Sequence, residues 1–230
     1  MSDTHSSPLP ASQATPSGKM LRTLGLVATL SGLLVVLSYR VTLPMIEHNK
    51  RMAIEKALYT VVPGAVTRQD FVFDGDSVKA ADNTGEGVHI YAGYDDQGRL
   101  KGVAMEAAAP GYQDVIRILY GYDPYCQCIR GFEVLKMAET PGIGDKIVKD
   151  AAFQANFEAL DAQPHPSGSG LANPIVLVKP GQKTQPWQID AISGATISSR
   201  AVARMLNDSS QMMSPIIKNY LSLLERGTRS

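Results

Sequence analysis

Four hydroxyl side chains fall within one short stretch, Ser193-Gly-Ala-Thr196-Ile-Ser198-Ser199, just after Asp190 and just before an apolar stripe begun by Val202, Met205 and Leu206. A strand-like run, PWQIDAI, delivers the chain to Ser193, so the hydroxyls stand at the start of a helix. A helix start leaves backbone N–H groups unpaired and carries partial positive charge, which favours phosphate. Gly194 permits close approach and Ala195 leaves the position unobstructed, while Thr196, Ser198 and Ser199 supply donors and nucleophilic oxygens. The same pattern also makes an ordinary capped helix, with Ser193 or Thr196 accepting from the first turn and no ligand at all.

A second stretch has polar groups around glycines. In ETPGIGDKI, Glu139 to Ile147, Gly142 and Gly144 allow backbone N–H groups to meet a ligand without Cβ interference. Glu139, Thr140, Pro141, Asp145 and Lys146 surround them. A plain tight turn explains this loop as well. Cys126-Gln-Cys128 leaves three readings open: a local disulfide, a metal site completed by a partner, or two thiols in a hairpin. His5, His48, His89 and His165 are scattered without metal-ligand spacing, so no metal site is expected.

These stretches need elements to position them. The chain has 230 residues, with 22 Lys and Arg against 22 Asp and Glu. This balance gives no basic footprint for nucleic acid. Residues 1–19 are rich in Ser, Thr and Pro and read as a disordered tail. Between Arg22 and Arg40 lie 17 uncharged residues, enough for a membrane anchor over 20–43. SYRVTLP offers no small-x-small cleavage site, so the anchor is expected to stay. Ile54, Ala57, Leu58 and Val61 then recur at helical spacing, predicting an amphipathic linking helix over 44–64 that stops at Pro63-Gly64.

Residues 65–230 are expected to form the remaining domain, α+β, with an antiparallel sheet and flanking helices. YAGYDDQGRLKGVAMEAAAPG and LYGYDPYCQCIRGFEVLKMAETPG repeat one plan: Gly-Tyr-Asp, a turn, a basic residue, a strand-like run and a closing Pro-Gly. Residues 150–160 read as a helix, PIVLVKPGQ and PWQIDAI as strands, and Pro215 is expected to kink or divide the C-terminal helix.

With both motifs in order, the chain resembles a known family. Asp190 followed by ISGATISS resembles the flavinylation motif of the FMN-binding domain in the G subunit of the Rnf electron-transport complex and the C subunit of the sodium-pumping NADH:quinone reductase. ETPGIGDKI resembles that domain's second signature, which usually has Leu where this chain has Ile143. The anchor, VVPGA and YGYDP extend the resemblance over roughly residues 20 to 225. The short chain without insertions fits the Rnf protein better.

The resemblance implies FMN joined through its phosphate to Thr196 by a dedicated flavin transferase, with Ser193, Gly194, Ala195, Ser198, Ser199, Asp190, Glu139, Thr140, Pro141, Gly142, Gly144 and Lys146 around it. The flanking charges, Lys19 and Arg22 before the span and Arg40, Lys50 and Arg51 after it, do not fix the orientation, and a short tail inside with the FMN domain outside is the simpler topology for a single-pass inner-membrane anchor. By the same resemblance, the chain's partners would be the other subunits of an ion-translocating ferredoxin or flavodoxin/NAD oxidoreductase, with no complete activity of its own. The alternative is a flavin-free, membrane-tethered assembly subunit of the same fold. No dinucleotide-binding fingerprint is present, which assigns nicotinamide chemistry to a partner.

Overall fold

A computed structural model of the chain describes residues 17–81 and 87–227. The tail predicted over 1–19 lies outside the described residues up to residue 16, and its last three residues are already helical. The chain divides into two units, residues 1–49 and 50–230.

Helix α1 runs over Ser17–Val61, with Pro44 inside it. Within the first unit its large apolar side chains, among them Leu24, Leu33 and Val35, are exposed. Thr23 and Thr42 donate their hydroxyls to the carbonyls of Lys19 and Ser38, so neither needs water as a partner. The helix is long and apolar enough to cross a membrane.

In the second unit the helix has one buried stripe: Ile54, Ala57, Leu58 and Val61, joined by Val62, pack on Tyr91, Ala104 and Leu119. Burying a side chain such as Leu58 contributes roughly 1.5–3 kcal/mol. These last three belong to one antiparallel sheet of β1 (Thr67–Phe73), β2 (Val78–Ala80), β3 (Val88–Tyr94), β4 (Leu100–Pro110), β5 (Val115–Asp123), β6 (Cys128–Lys136) and β7 (Leu160–Asp161). Its order is β2-β1-β3-β4-β5-β6-β7.

The repeated Gly-Tyr-Asp has a physical reason. Gly93 and Gly121 face the end of α1, and a Cβ at Gly93 would lie 3.1 Å from Val62 Cγ1; at Gly121 it would collide with the Val61 carbonyl. The tyrosine that follows points to the opposite face, where both Tyr94 and Tyr122 are buried. Each aspartate then caps its turn: Asp95 Oδ1 accepts from the Gln97 and Arg99 amides, and Asp123 Oδ1 from those of Tyr125 and Cys126. Cys126 and Cys128 are disulfide-bonded in the second of these turns, which selects the first of the three readings.

On that opposite face lies α4, Thr196–Asn219, with Val202, Met205, Leu206, Met213 and Ile217 buried. The Tyr120 hydroxyl sits 2.8 Å from Ser209 Oγ on this helix. The helix continues through Pro215 without dividing there, and α5 (Leu221–Arg226) follows it.

Residues 150–160 differ from the single helix expected. They follow α2 (Lys146–Lys149) as α3 (Ala151–Gln154), a 3-10 turn (Ala155–Phe157) and then β7. The start agrees, since Asp150 has an extended backbone and its carboxylate caps α3 through the Phe153 amide at 3.0 Å, and the departure comes after Gln154. Phe153 and Phe157 turn inward to pack edge-on with Phe132, their ring centroids 4.8 to 6.5 Å apart. The two late strands, β8 (Val176–Val178) and β9 (Gln188–Asp190), pair parallel in a small separate sheet.

Candidate functional site

Both glycine-bearing stretches are built on the same turn. In 140–143 the Ile143 amide donates to the Thr140 carbonyl at 3.1 Å, with Pro141 second and Gly142 third at φ 78°. In 192–195 the Ala195 amide donates to the Ile192 carbonyl at 3.1 Å, with Gly194 third at φ 81°. A positive φ at the third position is what a type II turn demands, and glycine meets it without steric cost. A Cβ at either glycine would meet nothing within 4 Å, so no protein neighbour demands glycine there and the positive φ of the turn does. Gly144 differs: there a Cβ would lie 2.5 Å from Glu139 Oε2 and 3.0 Å from Ser198 Oγ.

The two turns face each other across a cleft of about 350 Å³. Its walls are Tyr112, Glu139, Thr140, Ile143 and Gly144 on one side and Gly194, Ala195, Thr196, Ile197 and Ser198 on the other. Tyr112 comes from the turn between β4 and β5, so the two Pro-Gly loops of the repeat both reach this end of the sheet.

Glu139 joins the walls. Its buried carboxylate accepts from the Tyr112 and Gln113 amides through Oε1 at 2.9 and 3.1 Å and from the Ser198 hydroxyl through Oε2 at 2.5 Å. Asp145 anchors the next turn, and the Lys149 ammonium 2.6 Å away holds its carboxyl below the usual carboxylate range.

The hydroxyls of the helix start have separate fates. The residue preceding α4 is Ala195, and no side chain caps the helix, so the capping expected of Ser193 or Thr196 is absent. Ser199 is fully buried, accepting from the Ile192 amide and donating to the Ala195 carbonyl, so it does not face the cleft. Ser198 is spent on Glu139. Thr196 is exposed, and its hydroxyl makes no hydrogen bond within the described residues. The amides of Thr196, Ile197 and Ser198 are likewise unpaired among the described residues.

Three expected residues lie elsewhere. Asp190, Lys146 and Ser193 line a neighbouring cleft of about 600 Å³, floored by Phe153 and Ile192. The Asp190 carboxylate caps the Gln182 and Lys183 amides at 3.0 Å each, which explains its place before the motif as a loop brace.

Comparison with known proteins bears on this cleft. Residues 111–211 match the FMN-binding domain, a span containing both turns. The G subunit of the ion-translocating oxidoreductase complex of Methanosarcina acetivorans is 29% identical over 196 residues, covering 83% of this chain and 91% of that protein. The corresponding G subunit of Aliivibrio fischeri is 32% identical over 185 residues, covering 79% and 82%. This chain belongs to the family of G subunits of ion-translocating oxidoreductase complexes. The fold is shared more widely: NqrC of Shewanella oneidensis superposes with a TM-score of 0.56 at 18% identity, over 77% of this chain and 99% of that one.

Within this family's cleft, the sequence does not single out Tyr112 or Ile197, and it marks Ile143 only as a departure from the usual leucine. All three are exposed apolar side chains lining the cleft, at 66%, 48% and 51%. Tyr112 is signalled only by its position after Pro110-Gly111, the first copy of the repeat's closing loop.

Proposed function

We propose that this chain is a membrane-anchored electron-carrier subunit of an ion-translocating oxidoreductase complex, with FMN attached through its phosphate to Thr196. The carrying observation is the contrast among the hydroxyls: Ser198 and Ser199 are buried and engaged, and of the two that are exposed and unbonded, Ser193 lines the neighbouring cleft while Thr196 lines the one between the turns. Three unpaired amides at the positive end of a long helix suit a phosphodiester, which keeps one negative charge. The cleft's volume falls in the range of small-molecule sites, and Tyr112, Ile143 and Ile197 offer apolar faces to a planar ring.

When bound, FMN supplies the electron chemistry, and the protein sets its surroundings. Thr196 would serve as the tether, its Oγ holding the flavin's phosphate in place of the hydroxyl proton. The Thr140–Ile143 turn and the α4 start would supply the walls that hold the flavin. The other subunits of the complex supply the electron donor and acceptor.

We place the domain on the outer side of the membrane. The Cys126–Cys128 disulfide supports that side, since disulfides persist in oxidising compartments and are rare in the cytosol.

Intact mass of the full chain, co-produced with a flavin transferase, tests the tether. An increase of one FMN less one water, lost in Thr196→Val with the fold retained, is the expected result. Attachment that survives Thr196→Val refutes the assignment, and an unmodified parent chain leaves a flavin-free assembly subunit.

A further inference from the structure

Glu139 is a buried carboxylate that no salt bridge neutralises within the described residues. Its three donors are all neutral: two backbone amides and one serine hydroxyl. They come from the β4–β5 turn and the first turn of α4, and the carboxylate itself stands at the head of the Thr140–Ile143 turn. Gly111 and Gly144 bring their backbones so close that a Cβ on either would strike the carboxylate oxygens. The pocket is therefore shaped to this side chain.

Two consequences follow from the donor set. Both oxygens are engaged, Oε1 by two backbone amides and Oε2 by the Ser198 hydroxyl, and no cationic group stands among these partners. And because Glu139 takes the Ser198 hydroxyl rather than an amide, the amides of residues 196–198 stay open toward the cleft.

We infer that Glu139 is a positioning residue that fixes the cleft and also places a negative charge in its wall that lowers the reduction potential of a flavin held there. This rests on the flavin reading above. Each electron added to the ring brings negative charge toward a fixed negative charge in a poorly hydrated wall, where screening is weak. Reduction is then disfavoured relative to the same cleft with a neutral side chain. The carboxylate would thus act on the ring through space, with no proton or bond exchanged.

Two variants with opposite expected signs separate charge from loosened packing. Glu139→Gln keeps the shape and can keep all three hydrogen bonds, its carbonyl accepting from the two amides and its NH₂ donating to Ser198 Oγ. Ser198→Ala keeps the carboxylate and removes one donor that offsets its charge. The full chain is flavinylated, its loading read by intact mass, and the midpoint potential measured by spectroelectrochemical titration of the loaded fraction. An upward shift in Glu139→Gln with a downward shift in Ser198→Ala is expected.

Hydrogen exchange at the Tyr112 and Gln113 amides, measured on unloaded protein, should stay slow in Glu139→Gln and accelerate in Glu139→Ala. No shift in Glu139→Gln, or shifts of the same sign in both variants, overturns the charge role. Loss of attachment in Glu139→Gln when the parent loads also overturns it. A parent chain that carries no FMN instead overturns the flavin reading, so the two failures are distinct.

Discussion

Gly144→Ala probes the joint between the two turns. The added Cβ would sit 2.5 Å from Glu139 Oε2, 2.6 Å from Glu139 Cβ and 3.0 Å from Ser198 Oγ. All three atoms belong to buried residues held by their neighbours, so the clash has no free end of a side chain to absorb it. Overpacking of this kind costs about 1–3 kcal/mol. Pushing Glu139 off Ser198 removes a hydrogen bond to a charged group, about 1.5–3 kcal/mol more.

Gly142→Ala is the control from the same turn. It has open space around the Cβ, and its burden is the positive φ of 78° alone, about 1–2 kcal/mol. For a folded unit of this size each kcal/mol moves the melting temperature by roughly 2–4 °C. Thermal unfolding of the full chain in detergent should show Gly144→Ala falling by about 5–24 °C and Gly142→Ala by about 2–8 °C. Flavin loading should drop further in Gly144→Ala, because the clash lies where the two walls meet. Equal melting temperatures, or the reverse order, would refute the packing of Glu139 between Gly144 and Ser198.

Tyr120 should make the domain sensitive to alkali. Burial pushes its phenol up to about 12. An unfolded phenol ionises near 10, so this contribution is whole below pH 10 and is lost as pH rises toward 12, by about 1.4 kcal/mol per pH unit. Tyr120→Phe should flatten that part of the stability profile, and an unchanged slope would contradict the assigned burial. Thiol titration of the denatured full chain should find no reactive thiol before reduction and two after it, since Cys126 and Cys128 are the only cysteines and are bonded to each other. Two thiols without reductant would remove the disulfide's support for an outer location.

Much of the organisation was legible in the sequence because it rests on local chemistry. The uncharged run after Arg22 makes a helix too apolar for water, and the spacing from Ile54 to Val61 makes one buried stripe, whatever surrounds them. The doubled Gly-Tyr-Asp marked two equivalent strands. The glycines of ETPGIGDKI read as a tight turn, and Gly142 takes the positive φ such a turn needs.

Other features depended on partners distant in the chain. The four hydroxyls at 193–199 are chemically alike in sequence, and only packing separated the exposed, unbonded Ser193 and Thr196, which line different clefts, from the buried, committed Ser198 and Ser199. Asp190 and Lys146 read as site residues by adjacency, yet the direction of the strand and of the first turn of α2 turned them into the neighbouring cleft. The helix that starts at the Asp150 cap stops after Gln154 although its alanines favour continuation, because Phe153 and Phe157 turn inward onto Phe132 and packing outweighs propensity. Sequence alone determined the anchor, the repeat and the Pro-Gly turn at 140–143, which short-range sterics and hydrophobic period dictate. The tertiary structure decided which free hydroxyl lines the cleft and that Glu139 holds the walls together, because hydrogen bonds across 26 to 59 residues exist only once the sheet has brought its loops to one end.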